Sequence, residues 1–195
     1  PLYQGVAVAL NSVFPRLSLE TSLRLVSIAA TSGSIFLLGI LMLELVGPAA
    51  SILGAVLYAV LPFSMYYGRT ILPDAFATFW ALLTLVILLN SGQKRFWVLW
   101  VVFAGATAAI SVLVRPMAIF LLLPSLYLIV KNFSLTKTPI RVFVFLALLC
   151  IPLFLWRKWI LQYPEGIASS DWLFNKDGIR FKGAWFHWLF ARRLA

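Results

Sequence analysis

The sequence predicts an all-α fold, a polytopic transmembrane helix bundle with about six spans and interfacial helices at its margins. Composition is the first reason: 63% of the 195 residues are hydrophobic and 11% are charged, against about 45–50% and about 25% in soluble domains. The second is the recurrence of apolar runs near the roughly 20 residues that a helix needs to cross a bilayer. The third is that charge, proline and glycine collect in the short breaks between those runs.

Residues 1–20 are too short and too interrupted, by Pro15 and Arg16, to span. They read as a helix lying at the interface, with Tyr3 and Arg16 near headgroup level. Ser18 and Glu20 then supply a polar helix start for the first span, 21–46. Its small residues recur at helical spacing (Ala29 and Gly33, Ser27 and Thr31), which favours close helix contact in lipid. Gly47-Pro48 stops this span and begins the next, because proline at a first helical position has no needed donor to lose. The second span, about 49–67, places Ser51, Ala55 and Ala59 on one stripe and Pro62 near its end.

The third span runs about 75–89 and ends in the polar break from Asn90 to Arg95. The fourth, about 96–114, opens with Phe96, Trp97 and Trp100, as an aromatic belt does, and ends at Arg115-Pro116. The fifth, about 117–130, contains Pro124 and is short, so it reads as kinked or partly re-entrant. Pro139 starts the sixth, which runs to about Trp159 around Pro152. From Leu161 the character changes: Tyr163–Gly166 and Asn175–Gly178 are turns, and Trp185, Phe186, Trp188, Leu189 and Phe190 with Arg192-Arg193 form an amphipathic aromatic helix for a membrane surface. The division is therefore a transmembrane domain over 1–160 and a loop region with an interfacial helix over 161–195. With no methionine at position 1 and no closing feature at Ala195, the chain reads as a fragment of a longer polytopic protein.

The net charge is +10. The basic residues are scattered between apolar spans rather than gathered on one soluble face, which points to membrane lipids and not to nucleic acid. Cys150 is single, so no disulfide forms within the chain. His187 has no second ligand near it, and there is no Gly-rich phosphate loop, zinc-ligand spacing or serine-nucleophile motif. Counting spans puts Lys94, Arg95, Lys131, Lys137 and Arg141 on one face of the membrane. Arg69, Asp74, Arg115, Arg157 and Lys158 fall on the other. The second face carries more Lys and Arg, so charge counting alone leaves the orientation open.

The stretch from Tyr66 to Phe76 stands out, because it holds an arginine and an aspartate between two apolar runs. A charge there needs a partner or a task. Asp74 is the sole acidic residue between Glu44 and Glu165, and it falls at a helix N-terminus, where the helix dipole favours its ionised form. It is either a helix cap or salt-bridge partner of Arg69, or a functional carboxylate that orients an acceptor or helps hold a metal. Arg69 either holds Asp74 or binds a phosphate; a guanidinium suits both. Arg115 has no acidic neighbour in sequence, so phosphate is the better reading, beside simple snorkelling. Arg24 is similar, although Glu20 four residues earlier offers it a pairing.

In order and spacing these features line up with one family. Pro1-Leu2-Tyr3 followed by an apolar run and Leu23-Arg24-Leu25-Val26-Ser27 resembles the opening of GT-C glycosyltransferases. The group meant is the dolichyl-phosphate-mannose–protein mannosyltransferase-like enzymes (glycosyltransferase family 39), with the aminoarabinose transferases that act on lipid A. Tyr66-Tyr67-Gly68-Arg69-Thr70 with Pro73-Asp74-Ala75 is similar to that family's turn between spans. Val114-Arg115-Pro116 stands where its members often carry a basic residue before an apolar span, and Leu173–Gly178 looks like the start of the large extracytoplasmic loop. The resemblance implies transfer of a sugar from a polyprenyl-phosphate donor to a protein, lipid or glycan acceptor on the extracytoplasmic side of a cell membrane. It also implies that the general base lies upstream of Pro1, outside this stretch.

Under that reading Asp74 is a supporting carboxylate and Arg69 a catalytic cation. Arg115, Arg24, Tyr66 and Tyr3 bind substrate. No cofactor is assigned, save that a divalent metal ion is compatible with the chemistry. The rival readings are a transporter or lipid flippase, in which an intramembrane Arg and Asp line a pathway, and a non-catalytic membrane subunit.

Overall fold

The computed structural model describes residues 2–91, 97–132 and 138–163. The predicted aromatic tail with Trp185, His187 and Trp188, the loop start at Leu173–Gly178, and Lys94, Arg95 and Lys137 lie outside the described residues. Every regular element among the described residues is helical, as the composition predicts. The chain divides into two compact units, Pro1–Leu153 and Phe154–Ala195.

In the first unit, α1 (Leu2–Val13) is followed by α2 (Leu19–Leu45). Ser18 starts α2 as its N-cap: its hydroxyl accepts from the Thr21 amide at 3.1 Å, satisfying a donor that the first helical turn leaves unpaired. Gly47 ends it with φ +124°, a backbone state that glycine adopts without a Cβ penalty. Pro48 then opens α3 (Pro48–Val60). The residue before a proline is driven out of the helical region, and Leu61, ahead of Pro62, sits at φ −59° and ψ 126°. This breaks the second expected span into α3 and the short α4 (Pro62–Tyr67).

After the Gly68–Pro73 turn come α5 (Asp74–Ser91) and α6 (Trp97–Val114). Pro116 imposes the same rule on Arg115, which is extended at φ −141° and ψ 106°. A 3-10 helix (Pro116–Leu122) and α7 (Leu123–Asn132) follow, so the fifth expected span is likewise interrupted. α8 (Thr138–Ile160) keeps Pro152 inside it, and the boundary between the two units falls within this helix. Among the described residues four helices, α2, α5, α6 and α8, are long and apolar enough to cross a membrane. The remaining two of the six predicted spans are the interrupted ones.

α5 is the central helix of the first unit, touching α2, α6, α7 and the 3-10 helix, while α1 and α3 lie on α2. Lipid is as apolar as leucine, so close packing and hydrogen bonds, and not hydrophobicity alone, hold helices together in it. The packing bears this out. Ala81, Ala104 and Ala108 are fully buried in the main core with Leu88, Val101 and Phe145. Gly105 lets α6 approach α8 closely, since a Cβ there would stand 2.8 Å from Leu148 Cβ. A second cluster joins Tyr3 and Ala7 of α1 to Val26 and Ala30 of α2 and to Phe76 of α5.

In the second unit the described residues are the end of α8 and the turn after it. Trp156, Trp159 and Tyr163 stack in succession, with ring centroids 5.1 and 5.2 Å apart.

Candidate functional site

The Asp74 carboxylate and the Arg115 guanidinium meet face to face. Nε donates to one carboxylate oxygen at 2.5 Å and Nη2 to the other at 2.9 Å. Three local facts assemble this clamp. Asp74 is the first residue of α5, Arg115 follows the last residue of α6, and Pro116 holds the Arg115 backbone extended. Antiparallel packing of α5 and α6 then brings together residues 41 apart in sequence. The pair is partly solvated, with Arg115 47% and Asp74 32% exposed at their side chains. It is thus reachable by a ligand while being held in a bidentate geometry that a flexible lysine does not reproduce.

Below the clamp, hydroxyls continue the seam between the two helices. Ser111 donates to the Ala77 carbonyl at 2.7 Å, and Thr84 and Thr107 share a hydrogen bond at 2.8 Å. These three hydroxyls are buried, so each bond also discharges the cost of a polar group taken out of water. The seam was not singled out from the sequence. Its signal there is faint: serines and threonines on two apolar helices whose antiparallel register only the fold supplies.

The other candidates are distributed around this pair. Arg24 is held by Glu20, with Nη2 and Nε donating to Oε1 at 2.9 and 3.1 Å, the pairing that the i, i+4 spacing offers. Its Nη1 reaches the Arg69 carbonyl at 3.4 Å. Arg69 is not the partner of Asp74; its side chain is exposed and makes no ion pair among the described residues. Arg115, and not Arg69, neutralises the carboxylate, because the turn between Gly68 and Pro73 carries Arg69 onto α2 instead. Gly68 packs there so closely that a Cβ would stand 2.7 Å from Thr31 Oγ1.

Tyr66 is 65% exposed and lies edge-on to Tyr67 at 5.3 Å, open to a ligand. Tyr3 is placed differently from the expectation of a headgroup-level, substrate-contacting side chain. It is buried at 2% exposure, and its hydroxyl donates to the Leu23 carbonyl at 2.9 Å and meets the Ser27 hydroxyl at 2.8 Å. Its bonds are committed to α2, which makes it a strut between α1 and α2.

Two cavities flank the region. An apolar groove of about 510 Å³ runs between α1, α2 and α5, lined by Val6, Leu10, Val26, Ala29, Phe76 and Phe79. A mixed pocket of about 410 Å³ lies among α2, α3 and α4, with Arg69, Ser32 and Ser64 in its wall. Among the described residues no three His, Cys, Asp or Glu side chains gather, and both Asp74 oxygens already accept from Arg115.

An arginine–carboxylate clamp thus sits where two helices long and apolar enough to cross a membrane end, in an integral membrane protein. The chain matches the family described as dolichyl-phosphate-mannose-protein mannosyltransferase over residues 6–156. It belongs to that family of membrane glycosyltransferases. No curated protein and no solved structure matches it at a significant level.

Proposed function

We propose that the protein is a glycosyltransferase that moves a sugar from a polyprenyl-phosphate donor to a protein, lipid or glycan acceptor on the extracytoplasmic side of the membrane. In such a transfer the acceptor oxygen bonds to the sugar's C1. The bond from C1 to the phosphate oxygen breaks, the electron pair leaves on the phosphate, and the acceptor proton passes to a base. The reaction needs cationic donors at the leaving phosphate and a trough for the lipid tail as well as the base.

The observation that carries the reading is the Asp74–Arg115 clamp, within the stretch that matches the family. Asp74 fixes the guanidinium through Nε and Nη2, and Nη1 has no partner among the described residues. Those remaining N–H groups are the donors offered to a phosphate oxygen. Pre-set donors of this kind are effective because they need no reorganisation as charge develops. The groove between α1, α2 and α5 contains Phe76, two residues from Asp74, and supports the reading as an apolar path for the first isoprene units. Asp74 and Glu20 are each occupied by an arginine, and Glu44 lies at the far end of α2 from Arg24, so the general base is assigned outside the described residues.

The test is transfer of a labelled sugar by the purified intact protein supplied with polyprenyl-phosphate-linked donor. Release of polyprenyl phosphate together with a glycosylated acceptor is the expected result. Movement of intact donor across a vesicle membrane without cleavage of the sugar bond would replace the transferase reading with that of a flippase.

A further inference from the structure

The apolar groove is walled by three helices, and Tyr3 ties them together. Val6 and Leu10 form the α1 wall, Val26 and Ala29 the α2 wall, and Phe76 and Phe79 the α5 wall. From α1, the Tyr3 hydroxyl bonds to the Leu23 carbonyl and the Ser27 hydroxyl on α2. Its ring stands 6.0 Å from that of Phe76 on α5. α1 has little else to hold it. It buries Tyr3 and Ala7, and alanine offers a single methyl. Leu2, Val8 and Val13 are exposed. Among the described residues, the hydrogen bonds that cross from α1 to another helix both end on the Tyr3 hydroxyl. In lipid, apolar surface gives α1 no reason of its own to stay on α2; close packing and buried bonds do.

We propose that Tyr3 is a positioning residue for the polyprenyl donor. It holds α1 in place as the outer wall of the groove, so that the isoprene units next to the phosphate are enclosed by three helices. Its hydroxyl is committed to α2 and touches neither the sugar nor the phosphate. The proposal rests on the transferase reading for the identity of the ligand. Phe76, which Tyr3 braces, lines the groove two residues after Asp74 and links the groove to the clamp. The size also fits. A dry cavity of about 150 Å³ takes one benzene, so a groove of about 510 Å³ takes about three five-carbon units.

The experiment compares full-length wild type, Tyr3→Ala and Tyr3→Phe in lipid nanodiscs, with two donors that carry the same sugar phosphate on a long polyprenyl chain or on an ethyl group. Tyr3→Ala should raise KM for the long-chain donor by about tenfold or more, the worth of burying one aliphatic side chain, and leave kcat within about twofold. The ethyl donor does not reach the groove, so its kcat/KM should be the same in all three proteins. Tyr3→Phe keeps the ring against Phe76, and Ser27 can turn its hydroxyl to the Leu23 carbonyl four residues back. This variant should recover most of the long-chain KM. Equal losses with both donors, or a Tyr3→Phe as impaired as Tyr3→Ala, would overturn the proposal, since either would put the hydroxyl on the reacting groups. Amide exchange over residues 2–13 reads the wall without turnover. It should be faster in Tyr3→Ala, and by about threefold in Tyr3→Phe, the weight of one hydrogen bond between membrane helices, while α5 and α6 stay protected. Unchanged exchange over 2–13 in both variants would overturn the proposal as well. A wild type that transfers no sugar, yet shows this exchange pattern and binds long-chain polyprenyl phosphate more tightly than Tyr3→Ala does, would keep the role of Tyr3 and remove the transferase reading alone.

Discussion

α5 and α6 bury Ala77, Ala81, Ala104 and Ala108, and they share a seam that runs from the Asp74–Arg115 clamp through Ser111 to Thr84 and Thr107. α3 is also apolar, yet it buries no residue, and the hydrogen bond that joins it to α2 runs from Ser51 to the Gly39 carbonyl at 2.8 Å. Leu53, Val56 and Leu57 face outward from it. In water the more apolar segment takes the centre. In lipid, apolarity confers no such preference, and the centre goes to helices with small residues for close approach and hydroxyls for bonds across the contact. The charged clamp belongs to the same logic, since a carboxylate and a guanidinium at the end of that seam are positioned by everything beneath them.

The comparison breaks most visibly at the clamp. Asp74→Asn or Arg115→Ala in the intact protein should lower transfer by about a hundredfold, the usual cost of removing one preorganised donor. The melting temperature in detergent should move little, because a half-exposed ion pair contributes only about 1 kcal/mol or less. Wild-type turnover in both variants would reduce the pair to a helix-end tether. Gly105→Val comes next. It forces new atoms against Leu148 and should cost about 1–3 kcal/mol, read as a lower melting temperature. An unchanged melt would mean that α8 can shift without penalty.

A smaller effect belongs to Thr84→Val, near 0.6 kcal/mol by the average for hydrogen bonds between membrane helices. Thr107 keeps bonds to the Phe103 and Ala104 carbonyls at 3.0 Å when Thr84 is lost. Adding Thr107→Val should therefore show coupling between the two in a double-mutant cycle, and strictly additive losses would argue that the shared bond contributes nothing. Last, Leu53→Ala and Leu57→Ala on α3 should stay within about 0.5 kcal/mol of wild type. A larger loss would show that the outward face of α3 has a packing partner besides α2, and would erase the contrast with α5 and α6.

Much of the fold was legible residue by residue, because the rules that set helix ends are local. Ser18 as a cap, Gly47-Pro48 as a stop and start, and the break before Pro116 all act through the backbone of one or two residues. Pro62 was also visible, but its effect was underestimated: it converts one expected span into α3 and α4 by forcing Leu61 out of the helical region. At the site, Asp74 at the start of α5 and Arg24 with Glu20 follow from spacing. The partner of Asp74 does not. Arg69, five residues away, is near in sequence, but Arg115 reaches the carboxylate because α5 and α6 lie side by side. Tyr3 shows the same limit, since its burial depends on α1 folding back onto α2.

By itself the sequence determined an all-helical membrane protein, its approximate spans and the breaks between them. Hydrophobic content, caps and prolines act within one helix, and their effects need no knowledge of neighbours. Only the tertiary structure decided which arginine meets Asp74 and which helix is central. Those outcomes depend on contacts between residues tens of positions apart, and in lipid such contacts are selected by shape and hydrogen bonding, which hydropathy along the chain does not record.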